Sequence, residues 1–474
     1  MKSKNLAEKI TLFLIIICSS ITLNLILINE YPAIFSIQNV DGATNPFIAD
    51  FSFDSSPTSN LFLVYREQLL DYNKLQILSA DSDYQWNFTT DTITQENDSF
   101  ILQSTPSLQA GSSKLWIVSS YMQSTDMGII LYSKNYSENE WNSSIILKNQ
   151  AISYLNPKIV LDKTNDTLWL CWKDSHEISI NLYYMTYNLT SHSWSSNYTI
   201  NTINGLNCSN YDFILDGSGN AHFIWTQGIK PSNQIYFRTV MSNGTMSSVE
   251  ILTDGTTNCI SPTLVVDSNY YLNAIWENQT VENPEDEYGT INIQSSRKSI
   301  ANGTWSKSIE IAPYIPVDRP PSSRSDASHP TAAMDATDNI WLAYIIREDY
   351  AYHQGVDIRN RNGPDWKPSV KLSLVNNLAI QPKVKSDQAG NLHCLWLDLR
   401  TGSYVIYYRV KFANNQWSDE ILLTRFSNRT GDMLKFALIA IGVIAVMTIP
   451  SFILARALRK REERKLKRKI DLLQ

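Results

Sequence analysis

Cysteine, histidine and charged residues are scarce in this chain. Among 474 residues there are 5 Cys and 6 His, and 18% are charged, against about a quarter in an average soluble domain. So few cysteines exclude a disulfide-dense scaffold. The net charge of −6 argues against nucleic acid as a partner, because binding through bulk charge needs a basic protein. Neither His-x-x-x-His nor Cys-x-x-Cys occurs, so we expect no metal or other cofactor.

Aromatic residues, by contrast, are abundant. Phe, Trp and Tyr make up 11% of the chain, with 13 Trp and 24 Tyr. Disordered chains are polar and poor in aromatics, so this composition predicts a folded protein. The length allows two or three average domains or one large repeat domain.

Two apolar runs predict attachment to a cell membrane. Residues 11–28 follow a basic flank, residues 1–10, and are either a signal peptide or an uncleaved signal anchor. Residues 434–456 form a second apolar run and are predicted to be a transmembrane helix. The tail after it, residues 457–474, is rich in Arg and Lys. Such a tail is expected in the cytoplasm, which leaves residues 29–433 extracellular.

Asn-x-Ser/Thr sequons agree with this topology, because acceptors for N-linked glycans belong on the outside of a cell. All of them lie between the two apolar runs: Asn87, Asn97, Asn135, Asn142, Asn165, Asn188, Asn197, Asn207, Asn243, Asn278, Asn302 and Asn428. The pattern predicts a glycoprotein.

A repeated pattern runs from residue 46 to residue 424. Each full copy begins with Pro, has Asp five residues later, and reaches an aromatic residue nine or ten residues after that, as in Pro262, Asp267 and Trp276. A second aromatic residue usually follows about 21 residues further on. Copies of varying strength begin at residues 46, 106, 157, 211, 262, 330 and 382.

Four short strands fit each copy. The Asp suits the turn between the first and second strands, because its side chain can bond the backbone two residues on. Four strands at a pitch near 50 residues are typical of a propeller blade. We therefore predict an all-β fold, a seven-bladed β-propeller flanked by N- and C-terminal transmembrane helices. A six-bladed ring with a divergent N-terminal unit is the alternative.

The pattern is clearest from Leu215 to Trp225, which reads Leu-Asp-Gly-Ser-Gly-Asn-Ala-His-Phe-Ile-Trp. It resembles the repeats of sialidase-like, BNR-type propellers. The turn over residues 299–306, with Asn302 and Trp305, resembles a degenerate Asp-box in which Asn replaces the Asp. The resemblance implies the fold, whereas such propellers serve enzymes and non-enzymatic proteins alike.

Two sets of repeated side chains are expected to be structural. The recurring Trp residues should fill the space between blades. His222 and His393 occupy one repeat slot, which favours packing over chemistry.

Loops after second strands and loops between blades share one face of a propeller, and this face gathers candidate ligand-binding residues. Arg66, Arg347 and Arg400 follow second strands in blades one, six and seven, which are neighbours in a closed ring. Arg319 lies in the long loop before blade six, and Asp398 lies beside Arg400. An arginine cluster could bind a carboxylate bidentately. The alternative is that these charges are solvated and pair with one another. A sialidase-like active site would also need a Tyr–Glu pair and an acidic Asp, and no spacing selects such a set.

Cys208 and Cys259 are one repeat pitch apart. On the oxidising side of a membrane they are the candidate disulfide.

These observations predict a membrane-anchored surface module that binds a glycan or a protein, or that acts as a scaffold. The alternative is a sialidase-like glycoside hydrolase held at the outer face of the membrane. Expected partners are the membrane and a surface glycan or protein, not nucleic acid.

Overall fold

The computed structural model describes residues 47–68, 73–95, 100–162, 164–176, 179–201, 206–280, 290–301, 303–312, 315–316, 324–348, 354–363, 365–373, 378–424 and 464. The predicted membrane segments, Arg319 and the sequons at Asn97, Asn302 and Asn428 lie outside these residues. Among the described residues, no helix has both the length and the apolar character that a membrane crossing needs. The chain divides into two units, residues 1–424 and 425–474. The fold below belongs to the first.

Seven antiparallel sheets, each made of consecutive strands, confirm the predicted seven-bladed β-propeller. Blade one contains β1 (Phe47–Ser55), β2 (Leu61–Gln68), β3 (Asn73–Ala80) and β4 (Trp86–Gln95). Blade two contains β5 (Phe100–Leu102), β6 (Ser107–Ala110), β7 (Lys114–Gln123), β8 (Asp126–Asn135) and β9 (Asn142–Asn149). Blade three contains β10 (Ser153–Asp162), β11 (Thr167–His176), β12 (Ser179–Asn188), β13 (Ser193–Trp194) and β14 (Tyr198–Thr199).

The remaining four sheets follow the same plan. Blade four contains β15 (Asn207–Leu215), β16 (Ala221–Gly228), β17 (Gln234–Val240) and β18 (Glu250–Ile251). Blade five contains β19 (Asn258–Val266), β20 (Tyr271–Thr280), β21 (Thr290–Ser299) and β22 (Ile309–Ala312). Blade six contains β23 (Ile315–Pro316), β24 (Arg324–Met334), β25 (Ile340–Glu348), β26 (Gln354–Arg361) and β27 (Val370–Lys371). Blade seven contains β28 (Ala379–Ser386), β29 (Leu392–Asp398), β30 (Val405–Lys411) and β31 (Ile421–Leu422).

The strands β1, β6, β10, β15, β19, β24 and β28 line the centre of the ring and are called the inner strands below. We call the face at which they begin the top and the opposite face the bottom. Strands are counted outward from the inner strand of each blade. Turns between first and second strands, and between third and fourth strands, therefore lie at the bottom. The chain enters β1 and leaves β31 at the top.

The repeated Asp closes the bottom turn after the inner strand in blades three to seven, as predicted, whereas Ser56 accepts the equivalent bond in blade one. Asp216 Oδ1, for example, accepts hydrogen bonds from the backbone nitrogens of Ser218 and Asn220, both at 2.9 Å. Gly219 of this turn has φ of 76°, a left-handed conformation that glycine adopts freely. The pattern thus marks a hairpin turn, which is why it recurs at the same place in these five blades.

Neighbouring blades pack through buried aromatic and aliphatic side chains. Trp172, Trp225, Trp276 and Trp396 of the second strands are each at most 1% exposed. One core cluster joins Trp169 of blade three to Phe223 of blade four, and others fill further spaces between blades. The second repeated aromatic also packs between blades, since Trp417 lies edge-on to Trp341 at 6.3 Å between ring centroids. The predicted packing role of the Trp residues is confirmed.

No strand is shared between blades seven and one among the described residues. Contacts between the two complete blades close the ring. Trp86 packs edge-on against Tyr408, and the Tyr84 hydroxyl donates to Asp387 Oδ2 at 2.5 Å. The backbone nitrogen of Ile48 donates to the Tyr404 carbonyl at 2.9 Å. Each blade is therefore complete in itself, and closure depends on these contacts.

The predicted disulfide is wrong. Cys208 and Cys259 are both buried and free, and both lie inside inner strands rather than before them. Cys208 belongs to the core between blades three and four, whereas Cys259 belongs to the core between blades four and five. Equivalent positions in adjacent blades are separated by a packed-sheet spacing of about 10 Å, and a disulfide needs Cα atoms within about 7 Å.

Candidate functional site

A central channel runs along the inner strands. It encloses about 820 Å³ and is lined by residues from all seven blades. Sites for small ligands in proteins are concave and typically measure about 300–1,000 Å³. The channel is therefore a candidate site for a small ligand.

A β-bulge interrupts the inner strands near their top ends. In blade five the pairing with β20 shifts between Ile260 and Thr263, so that Ser261 and Pro262 leave the ladder. Similar shifts occur in blades three, four, six and seven. A proline suits this position because it has no N–H to donate to the ladder. The repeated Pro therefore marks a bulge inside a strand, not the start of a unit, as the repeat pattern had suggested.

The residue before each of these positions lines the channel near its top end. We define the mouth ring as six such residues from blades two to seven: Thr105, Asn156, Asn210, Ser261, His329 and Gln381. Four of them adopt left-handed backbone conformations, at φ of 48° to 53°. Non-glycine residues rarely adopt this conformation, and such strain tends to collect at functional sites.

The side chains of the mouth ring are polar and free to bind. Asn156, Asn210 and His329 are exposed, and the other three are half-buried. None of the six side chains forms a hydrogen bond with another of the residues that the structure describes. His329 Nδ1 lies 3.9 Å from the Glu277 carboxylate, which is beyond hydrogen-bond distance. Amide, hydroxyl and imidazole groups are thus presented together, without a permanent charge among them.

Deeper in the channel, side chains serve a different purpose, because they tie inner strands to neighbouring blades. Asp54 Oδ2 in blade one accepts from the backbone nitrogen of Ala110 in blade two at 2.8 Å. Gln109 Oε1 in blade two accepts from the backbone nitrogen of Leu161 in blade three at 3.2 Å. We call these contacts the wall ties. The others are Ser52 to Leu108, Ser107 to Ile159, Lys158 to Asp212 and Phe213, Asp212 to Thr263 and Leu264, Ser386 to Met334, Lys383 to Phe51 and Lys385 to Asp54.

The wall ties engage the charged side chains of the channel. Asp212 pairs with Lys158 and accepts from Thr263 Oγ1 at 3.0 Å. Lys383 bonds the Phe51 carbonyl, and desolvation lowers the pKa of its ammonium to about 8. Except where β23 pairs with the first two residues of β24, the inner strands have no sheet neighbour on the channel side, so these bonds satisfy backbone groups that would otherwise lack partners.

Two of the predicted arginines, Arg66 and Arg400, form ion pairs with nearby carboxylates. Arg66 pairs with Asp50 at 2.8 Å and donates to the Leu102 carbonyl. Arg400 pairs with Asp398 at 2.6 Å and also with Glu420 near the outer edge of blade seven.

Arg347 and Asp398 complete the predicted set. Arg347 contacts the Gln354 side chain, at 2.9 and 3.0 Å. Asp398 is fully buried and accepts from Trp396 Nε1, so it belongs to the blade interior. Binding of a carboxylate by the arginines stays a prediction.

The two repeated histidines are structural, as expected. His393 is fully buried between Asp387 Oδ2 at 3.2 Å and the Tyr408 hydroxyl at 2.9 Å. His222 lies likewise between Asp216 and Thr239. In blade six, Trp341 Nε1 fills the same slot and donates to Asp335 at 2.7 Å. Since an indole replaces the imidazole there, the slot requires a donor to the turn Asp and not a base.

Several solved structures are similar to this chain at low sequence identity. The α-L-arabinofuranosidase of family GH93 from Fusarium graminearum is 11% identical, with a TM-score of 0.44 over 77% of this chain and 93% of that one. The polysaccharide lyase Uly1 is 8% identical, with a TM-score of 0.47 over 73% and 86%. The α-L-arabinanase of Penicillium chrysogenum is 14% identical, with a TM-score of 0.40 over 63% and 88%. No family model and no curated protein matches the sequence. These values carry no argument about activity.

Proposed function

We propose that this chain is a membrane-anchored surface protein whose propeller binds a neutral glycan, free or protein-linked, at the mouth ring. The observation that carries the proposal is the ring itself. Six polar side chains without a permanent charge surround the channel near its top end, and none has a hydrogen-bond partner among the described residues.

The chemistry of the ring suits a carbohydrate. Each sugar hydroxyl can both donate and accept a hydrogen bond, and Asn156, Asn210 and Gln381 each present both functions on one amide. Thr105 and Ser261 add hydroxyl groups. A buried or permanently charged ring would favour an ion instead, so the absence of charge in these six residues favours a neutral polar ligand.

The glycoside hydrolase alternative is less well supported by the channel. Glycosidases of the usual kind need two carboxyl groups about 5–9.5 Å apart beside the scissile bond. The carboxylates of Asp54 and Asp212 on the inner strands are instead bonded to the backbone and side chains of the next blade. A binding role requires no change in these contacts, whereas an acid–base role would compete with them.

The membrane part of the proposal comes from the sequence. The apolar runs at 11–28 and 434–456 and the basic tail support a single extracellular segment, residues 29–433. A membrane-anchored propeller would meet glycans of neighbouring surface molecules, and these are the favoured ligands.

The test is binding of the detergent-solubilised full chain to an array of neutral oligosaccharides, followed by titration calorimetry with the best binder. We expect the Asn156→Gly, Gln381→Gly double variant to bind at least ten-fold more weakly. The matched control is Asn415→Gly, since Asn415 also has a left-handed backbone, with φ of 68°, but lies in a bottom turn.

Two results would contradict the proposal. One is unchanged affinity in the double variant with an intact fold. The other is release of reducing sugar from the bound oligosaccharide, which would favour the hydrolase.

A further inference from the structure

The sequons are unevenly distributed between the two faces of the propeller. Of the nine on described residues, Asn87, Asn135, Asn142, Asn165, Asn188 and Asn243 lie at bottom ends of strands or in bottom turns. Asn197 lies on the outer edge of blade three, between β13 and β14. Asn207 and Asn278 lie towards the top, where they pair with Gly228 and Cys259.

The two sequons near the top differ in accessibility. Asn207 is exposed. Asn278 is only 4% exposed, and its Oδ1 accepts from Thr257 Oγ1 and from Cys259 Sγ at 3.5 Å. A glycan on Nδ2 of Asn278 could not leave the protein without breaking this packing, so the folded protein excludes it.

In three bottom sequons a hydrogen bond fixes the orientation of the Asn side-chain amide. Oδ1 of Asn87, Asn188 and Asn243 accepts a hydrogen bond from the backbone nitrogen of the sequon's own Thr, at 2.9 to 3.0 Å. All three side chains are exposed, and their Nδ2 groups form no hydrogen bond with other described residues. Nδ2 is the atom that carries a glycan, so these side chains are held with the reactive atom towards solvent.

Exposed aromatic side chains adjoin three sequons. Phe88, Tyr136 and Tyr198 are 61%, 39% and 46% exposed and directly follow Asn87, Asn135 and Asn197. They lie at or beside the edges of blades one to three, where outer strands have unpaired backbone groups that invite association with other chains. A glycan attached next to each ring would cover it.

We propose that N-glycans on the described residues lie mainly on the bottom face and the outer edges of blades one to three, and that Asn278 is never glycosylated in the folded protein. The donor would be a lipid-linked oligosaccharide. The C1–Nδ2 bond forms, the C1–O bond to the lipid phosphate breaks, and the amide proton is lost. The inference rests on the extracellular location in the proposed function, but not on the ligand of the mouth ring.

The experiment is glycopeptide mass spectrometry of the full chain made in a host that N-glycosylates membrane proteins. We expect occupancy at Asn87, Asn188 and Asn243 and none at Asn278. Asn87→Gln should lose the mass of one glycan, whereas Asn278→Gln should lose none.

A new sequon on the top face provides the matched control. Asp254→Asn completes Asn-Gly-Thr in the exposed loop that joins blades four and five. Asn can replace the Asp254 oxygen that accepts from the Thr256 backbone nitrogen at 3.0 Å. A gain of one glycan would show that the top face is accessible to the transferase, and that the described part of this face carries few glycans because it has few sequons.

The outcomes separate the two proposals. No occupancy at any sequon would contradict the extracellular location and, with it, both proposals. A glycan on Asn278 in folded protein, or empty bottom sequons beside an occupied Asn207, would overturn the asymmetry alone. Monomeric behaviour that is lost on enzymatic deglycosylation would support the covering of the edge aromatics, and unchanged behaviour would count against it.

Discussion

The mouth ring and the wall ties lie on the same inner strands, yet they differ in charge and in partners. In blade three, Asn156 has no partner for its side chain among the described residues, whereas Lys158, two residues on, pairs with Asp212 of the next blade. In blade seven, Gln381 and Lys383 show the same contrast. Charges within the channel hold the ring together, and uncharged groups near its top end remain available. Stability and binding should therefore separate along a single strand.

The largest effect should follow loss of a wall tie. Asp212→Ala removes the partner of Lys158 and the acceptor for Thr263 and the Leu264 backbone nitrogen. Hydrogen bonds to charged groups contribute about 1.5–3 kcal/mol, and partial exposure of the pair reduces this. We expect unfolding free energy to fall by about 2–3 kcal/mol, measured by urea denaturation with Trp fluorescence.

Asp419→Ala provides the control for that variant, since Asp419 is exposed and lies on the outside of blade seven. Its effect should stay within about 0.5 kcal/mol. Equal losses in the two variants would remove the distinction between wall and surface.

Alkaline pH should change the stability that Lys383, a residue of the wall ties, contributes. Its pKa is about 8 in the folded protein, against about 10.4 in an unfolded chain. Between these values the unfolded chain binds more protons, so the stability contributed at this site rises with pH, by up to about 1.4 kcal/mol per unit. Lys383→Met should lack this rise when denaturation midpoints are compared from pH 8 to 9.5. A parallel rise in both proteins would assign it to other groups.

Acidic pH should destabilise the contacts that close the ring between blades seven and one. Burial lowers the pKa of His393, so the folded protein keeps it neutral while the unfolded chain binds a proton below about pH 6.5. Burial raises the pKa of Asp387, but hydrogen bonds from His393, Tyr84 and Asn391 outweigh it and lower the pKa well below its usual range. Stability should therefore fall as pH drops below about 6.5, and fall further as carboxylates of the unfolded chain become protonated near pH 4.

His393→Asn tests the first part of that loss. Blade five already uses Asn273 in this slot, where its amide donates to Asp267. The variant should lose the decline between pH 6.5 and 5 and keep the decline near pH 4, as followed by near-UV circular dichroism. A wild-type decline that survives in the variant would place the titrating group elsewhere.

The fold could be predicted from the sequence because each blade repeats the same local solution. Asp216 and its equivalents close a hairpin with their own side chains, and Trp225 and its equivalents fill the space beside the next sheet. Both signals are local and recur at one pitch. Blade number, strand order and the structural role of His222 and His393 follow from them.

The candidate site could not be predicted in the same way. The repeat pattern predicts that the arginines lie on the top face. It does not predict their ion pairs, because the residue spacing does not show that Arg66 lies beside Asp50 or Arg400 beside Glu420. The repeat pattern places the Pro at the start of each unit, and it therefore does not predict the bulge that the Pro occupies inside the inner strand. A signal did exist, since a polar residue precedes Pro157, Pro262, Pro330 and Pro382 in every case.

The smallest expected effect is on the stability of mouth variants. Asn156, Ser261, His329 and Gln381 have φ of 48° to 53°. A left-handed conformation costs a non-glycine residue about 1–2 kcal/mol, and glycine relieves it while adding freedom to the unfolded chain, at about 0.4–1 kcal/mol. The first term equals or exceeds the second, by up to about 1.5 kcal/mol, so no Gly variant should be less stable than wild type in urea denaturation. Glycan affinity should nevertheless fall, because the polar group is gone. If the Gly variants instead unfold as readily as Asp212→Ala, the mouth residues belong to the framework, and the contrast between the two parts of the inner strands is lost.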